Sequence, residues 1–268
     1  MKRNERIAVM TKILSDRPNE RLNLSYFAER FDASKTSISE DIDIIRRGIE
    51  EAEIGRIEGF AGASGGIRMI PTLSAAERKE LRDEVCTLMS QTERQMAGGL
   101  VYLSDILYDP RLSHQIGVLL ADHFGRLEIP IDVVLTIETK GIPIAMMTAR
   151  HLNVPLVIAR HDNIATEGSK ISINYVSGSK GTLKTMYLSK KAIRPDSNVL
   201  IIDDFMRAGG TAFGMQNIVS ELGGRVAGTG VVFDLNPHHH KVVDEYVSLF
   251  EICDAPQFSV SPSSKVKW

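Results

Sequence analysis

The run Val199-Leu-Ile-Ile-Asp203-Asp204-Phe-Met-Arg-Ala-Gly209-Gly210-Thr211 leaves its chain few ways to fold. Four consecutive apolar residues, three of them β-branched, suit a strand covered on both faces, as in a parallel sheet, and the strand then stops at polar ground. Adjacent carboxylates at a strand's carboxyl end can accept two vicinal hydroxyls, and Gly209-Gly210 lets backbone N–H groups close on an anion. Thr211 can open a helix over 211–222 whose first free N–H groups complete that anion site. A strand ending in solvated acids before an ordinary turn explains each piece separately but not their order.

The same order resembles the signature of type I phosphoribosyltransferases, which bind 5-phosphoribosyl 1-pyrophosphate (PRPP). The resemblance implies an α/β fold, a parallel sheet flanked by helices. By it, Asp203 and Asp204 hold the ribose hydroxyls and Arg207, Ala208, Gly209, Gly210 and Thr211 wrap the 5′-phosphate, with the bulky Phe205 and Met206 completing that lining. The family usually has Thr where this chain has Ala208, which removes one hydroxyl from the cradle.

A second strand-to-helix loop, Glu138-Thr139-Lys140-Gly141, follows the apolar run 131–137 and repeats the same anion logic. It resembles the pyrophosphate loop of purine phosphoribosyltransferases, to which Lys140 adds a cation. Relatives also place basic residues where Arg160-His161 ends strand 154–159, and Arg160 has the fixed donors that match phosphate oxygens. The polar stretch 163–190 corresponds to a loop or hairpin that closes over the reaction centre, with Lys180 or Lys184 in reach of pyrophosphate. Tyr102, on an early strand within 99–103, is either a stacking platform or core.

The first 73 residues follow a different grammar, and a Pro-limited join, Ile70-Pro-Thr-Leu-Ser74, separates them from 74–268. Ile7, Met10 and Leu14, then Leu24, Phe27 and Phe31, then Ile38, Ile42, Ile45 and Ile49 predict three amphipathic helices, with Asn23 and Ser34 as caps. Two short strands around Ala61-Gly-Ala-Ser-Gly65 follow as a hairpin. Three helices and a hairpin resemble a winged-helix DNA-binding domain. Lys35, Thr36, Ser37 and Ser39 would then meet the major groove, and Arg56 and Arg68 the backbone. Residues 1–70 hold twelve Lys/Arg and twelve Asp/Glu, so Glu40, Asp41 and Asp43 must turn away from DNA for this to work.

Beyond the join, helix 75–96, helix 112–124, strand 131–137, helix 142–151, strand 154–159, strand 199–202, helix 211–222 and strand 226–233 read as an α/β series. The tail 259–268 reads as loose. Cys86 and Cys253 have neither metal-ligand spacing nor a disulfide framework, and the charged start MKRNERIAVMTKIL is no signal peptide, so a cytoplasmic protein is expected, without a membrane role. Adjacent histidines at 238–240 do not by themselves converge on a metal.

A winged helix joined to a phosphoribosyltransferase-like domain resembles the purine operon repressor family of Gram-positive bacteria. That resemblance implies a homodimer on double-stranded operator DNA, PRPP as effector, and no transferase activity, hence no catalytic residues and no required cofactor. Mg²⁺ can accompany PRPP on its pyrophosphate oxygens. The alternative is an active purine phosphoribosyltransferase with an accessory DNA-binding domain. A third reading gives the pocket to a guanosine polyphosphate.

Overall fold

The computed structural model describes residues 1–62, 65–96, 100–162, 168–177, 181–254 and 258–268. Helices α1 (Arg3–Asp16), α2 (Leu24–Phe31) and α3 (Lys35–Glu51) form where apolar residues recur at three- and four-residue steps. Met10, Leu14, Phe27, Ile38, Ile42, Ile45 and Ile49 share one buried cluster, each worth about 1.5–3 kcal/mol relative to exposure. The Asn23 side chain accepts the Tyr26 N–H and Ser34 that of Ser37, caps worth about 1 kcal/mol each. Asp32, left-handed at φ 46°, ends α2 and keeps the turn into α3 short. Strands β1 (Gly55–Phe60) and β2 (Gly66–Pro71) pair antiparallel and turn Ile57, Ile67 and Met69 onto the same cluster, closing a winged helix. Hairpin residues 63–64 lie outside the described residues.

Ser74 and Glu77 form a reciprocal capping box at the start of α4 (Ala75–Met89). The expected helix to residue 96 stops seven residues early, because Arg94 buries to make a two-pronged ion pair with Asp105. Met96 falls instead in β3 (Gln95–Met96), paired with β4 (Leu100–Val101); the expected strand 99–103 is thus shorter, and Gly99 lies outside the described residues. There follow α5 (Ser104–Leu107), α6 (Pro110–Phe124), β5 (Val133–Ile137), α7 (Ile142–Leu152) and β6 (Leu156–Ala159). A long hairpin, β7 (Lys170–Ser177) with β8 (Thr182–Ser189), precedes β9 (Asn198–Met206), α8 (Gly210–Glu221), β10 (Arg225–Leu235), β11 (Val247–Cys253) and β12 (Ser259–Pro262).

The main sheet runs β12-β11-β10-β9-β5-β6, parallel except for β12. One apolar cluster, under α4, α6 and α7, covers one face, and a second, under α8 and the β7–β8 hairpin, covers the other. That two-sided cover is why β9 reads as an unbroken apolar run. The tail is not loose. Val260 and Val266 pack on the core, and the Trp268 ring lies 4.9 Å from that of Phe250 while its indole N–H donates to the Ser263 carbonyl. A few apolar side chains at the right spacing hold an otherwise polar segment.

Among the described residues, polar contacts join the winged helix to the sheet domain, including the Ala75 N–H of α4, which donates to Glu53 at 3.2 Å. Arg56 of β1 lies 3.4 Å from Asp122 of α6, and the Asn19 side chain donates to the His151 carbonyl of α7 at 2.5 Å.

Candidate functional site

In the sheet order β5 and β9 are neighbours, but the chain leaves β5 toward β6 on one side and β9 toward β10 on the other. Their carboxyl ends therefore open a crevice at the topological switch point, where open α/β sheets bind ligands. Both predicted loops end there. Glu138–Gly141 leads from β5 into α7, and Arg207–Gly209 leads from β9 into α8.

Strand β9 is longer than the expected 199–202 and carries Asp203 through Met206 in the ladder, with Asp203 opposite Val231 and Phe205 opposite Phe233. Asp203 is 6% exposed, and Gly141 lies against it: a Cβ at Gly141 would stand 2.7 Å from the Thr136 hydroxyl and 3.0 Å from an Asp203 carboxylate oxygen. Only glycine lets the two loops approach so closely. The Asp204 N–H donates to Asp203 Oδ1 at 2.9 Å.

Burial first, then the charge of Asp204, drives the Asp203 carboxyl well above the usual range. Burial also raises Asp204, with Lys140 among the groups pulling back. Two carboxyls held in this way favour hydroxyl donors.

The second loop has the strand-to-helix geometry that can receive an anion. Gly209, at φ 86°, takes a backbone conformation few other residues adopt, and its carbonyl accepts the Phe213 N–H to start α8. Asp203 and Phe205–Ala212 line a cavity of about 210 Å³ there. Burial pushes the Tyr175 phenol of β7 up, with the neighbouring Thr211 side chain pulling it back, a proximity no local pattern announced. Phe205 is half-buried against the core, with the Arg207 guanidinium 6.0 Å from its ring centre.

Glu138 is held by the His161 N–H at 2.6 Å and by Arg160 at 3.4 Å, so Arg160 stands at the crevice partly matched by a carboxylate. Thr139 is exposed and Lys140 half-buried at the loop's tip.

The Met206 side chain is 2% exposed and packs with Ala212, Val231 and Val243 beside the β9 cavity, which it helps to line. Tyr102, 47% exposed after β4 and tied to Arg94 through its backbone, does not line the β9 cavity among the described residues. Lys184 is exposed on β8, and Lys180 lies outside the described residues. His238–His240 are exposed, and no cluster of metal-ligating groups occurs among the described residues.

In the winged helix, Lys35, Thr36 and Ser39 are exposed at the start of α3, whereas the Ser37 hydroxyl is 2.9 Å from that of Ser34 at the cap. The acids of α3 turn to basic partners: Asp41, fully buried, meets Arg3 at 2.9 Å and Arg6 at 2.5 Å, Glu40 meets Arg3, and Asp43 meets Arg46. Arg56 and Arg68 do not project as bare wing cations. Both pair with Glu58, which they hold below the usual carboxylate range against a desolvation that pushes it up, and Arg56 also reaches Asp122. Arg68 and Arg21 additionally lie over the Phe60 ring, at 5.2 and 4.4 Å.

Residues 2–71 match the family described as bacterial purine repressor, N-terminal, and residues 103–267 match the phosphoribosyl transferase domain. The purine biosynthesis transcriptional repressor PurR of Bacillus subtilis is 45% identical over 251 residues, covering 94% of this chain and 87% of that protein. The purine biosynthesis transcriptional activator PurR of Lactococcus lactis is 39% identical over 252 residues, 94% of this chain and 92% of that one. Among solved structures, adenine phosphoribosyltransferase from Giardia lamblia superposes with a TM-score of 0.53 at 20% identity, over 66% of this chain and 97% of that chain. That last likeness is one of fold alone.

Proposed function

The chain belongs to the family of purine biosynthesis transcriptional regulators that join this amino-terminal domain to a phosphoribosyltransferase domain, and from that premise we propose that it binds operator DNA and senses PRPP without consuming it. The observation that carries the reading is Gly141 packed on Asp203. It sets two carboxyls raised chiefly by burial between two strand-to-helix loops, a spacing of acceptor and anion sites suited to a ribose with a phosphate at one end and a pyrophosphate at the other. Mg²⁺ would arrive on the pyrophosphate oxygens, adding Lewis-acid neutralisation there. Lys140 and Arg160 would supply the protein's own positive charge.

Regulation without turnover is supported by the departures in the cradle. Ala208 contributes no hydroxyl where the enzyme pattern has Thr, and the bulky Phe205 follows directly on the acidic pair. On the DNA side, Lys35, Thr36 and Ser39 offer an exposed, acid-free helix start. A homodimer would present two such helices and supply the affinity one small domain lacks.

Helix α7 gives the coupling a physical route. Gly141 caps its first turn at the crevice, and the His151 carbonyl at its last turn holds Asn19 of the winged helix. PRPP can shift operator affinity only by its differential affinity for two arrangements of these units.

The deciding experiment titrates PRPP against an operator complex at fixed salt, for the wild type and for Asp203→Ala with Asp204→Ala. Release by PRPP, lost in the variant with operator affinity retained, is the expected result. Operator affinity indifferent to PRPP in the wild type would sink the proposal. Incubation with PRPP, Mg²⁺ and each purine base tests turnover, and any nucleotide formed would return the chain to the enzymes. Guanosine polyphosphates, which offer similar phosphates, are expected to compete with PRPP.

A further inference from the structure

An ammonium group sits beneath the phosphate loop. Lys241 is 6% exposed, and its Nζ donates to the Arg207 carbonyl at 2.6 Å and to the Leu235 carbonyl at 2.5 Å, while pairing with Asp234 Oδ1 at 2.9 Å. Asp234 is fully buried, and its other oxygen accepts the Tyr246 hydroxyl at 2.7 Å. A buried ion pair contributes little net stability, so its value has to be sought in what it holds in place. Here it holds backbone.

In a trans peptide the C=O and the following N–H point in opposite directions. Lys241 fixes the Arg207 carbonyl, and the next residue's N–H, that of Val242, donates to the Ala208 carbonyl at 3.0 Å. Both carbonyls are thereby drawn to the Lys241 side of the loop. The N–H groups of Ala208 and Gly209, which belong to those same two peptide planes, are left to face the cavity. Val243, whose Cγ2 would lie 3.1 Å from a Cβ on Gly209, closes the loop from beneath. Free to rotate, these planes could equally present carbonyl oxygens, which repel a phosphate.

We propose that Lys241, braced by Asp234, is a positioning residue that sets the peptide planes of the 207–209 loop so that its N–H groups converge on the ligand's 5′-phosphate. The proposal rests on the reading of the crevice as a PRPP site. It is local to one end of that ligand: the Glu138–Gly141 loop has no part in the network. Preorganised donors of this kind gain affinity because no reorientation is left to do on binding.

The test separates the two ends of PRPP by calorimetry with ribose 5-phosphate and, independently, pyrophosphate. One variant replaces the pair together, Lys241→Met with Asp234→Leu, so that no lone charge is buried. A second, Val242→Pro at an exposed position, removes the N–H that holds the Ala208 carbonyl while leaving the Lys241–Asp234 pair in place. Ribose 5-phosphate affinity is expected to fall about tenfold or more in each, the scale of losing aligned hydrogen bonds to a charged group, with pyrophosphate affinity unchanged. In the wild type, amide exchange at Ala208 and Gly209 is expected to slow with ribose 5-phosphate and not with pyrophosphate. Unchanged ribose 5-phosphate affinity in a folded variant, equal loss of both probes, or no selective amide protection would each overturn the proposal. Should the paired variant fail to fold, Val242→Pro and the wild-type exchange decide. A wild type that binds neither probe would instead refute the PRPP reading itself.

Discussion

Asp41 and Asp203 are both buried aspartates, one in each unit, and they are opposites. Asp41 lies within ion-pair distance of two arginines. The nearest named charge to Asp203 is another carboxyl, and burial plus that neighbour push its proton affinity up. The first is a satisfied joint between α1 and α3. The second keeps an electrostatic cost that nothing in the fold requires, which marks a site arranged for something that is to bind there. Burial of an acid alone says little; its company separates architecture from function.

The largest effect that could break this contrast is on the satisfied side. Asp41→Ala is expected to cost about 3 kcal/mol, the loss typical of removing one partner from a buried pair, read as a shift in the urea midpoint. A cost no greater than that of a surface substitution would erase the distinction. Between the two units, His151 offers a sharper version with the opposite sign of titration. Burial, then His114 and Arg150, lowers its pKa from 6.5 to about 3, so the unfolded chain takes up the proton first. Stability is then fully present above pH 6.5 and is lost as pH falls toward 3, with about 2 kcal/mol gone at pH 5. His151→Asn should flatten the difference between melts at pH 7 and pH 5.

The smallest expected effect lies on the unsatisfied side and is a gain. Because the Asp203 carboxyl is raised when folded, its favourable protonated form is fully present at low pH, and stability falls as pH rises through the folded value. Asp203→Asn is therefore expected to melt higher at pH 7, on the scale of about 1 kcal/mol common when functional strain is relieved, with the gain fading toward pH 4. An equal or lower melting temperature at pH 7 would mean the site is not strained.

What the sequence disclosed of this contrast follows from range. The helices of the winged unit, the Asn23 and Ser34 caps, β9 and the Gly-Gly-Thr helix start depend on neighbours within a few residues, and local pattern found them. Arg56 finds Asp122 across 66 positions and Lys241 reaches the Arg207 carbonyl across 34, distances at which spacing carries no signal. The tail was misread because composition weighs every residue equally, whereas Val260, Val266 and Trp268 are enough apolar side chains to dock it beside β12. For Arg160 and Glu138 the motifs located both residues but not the ion pair between them.

Helix α7 carries one more consequence. Its peptide dipoles align, so its first turn at Gly141 is a positive pole and the His151 carbonyl, which holds Asn19, belongs to the negative one. An anion resting on the Glu138–Gly141 loop polarises the whole ladder of hydrogen bonds behind it, and the last carbonyls become better acceptors. On the proposed PRPP reading, the Asn19 contact would stand in series with the ligand, so that charge at one end of α7 would be felt at the other through backbone alone.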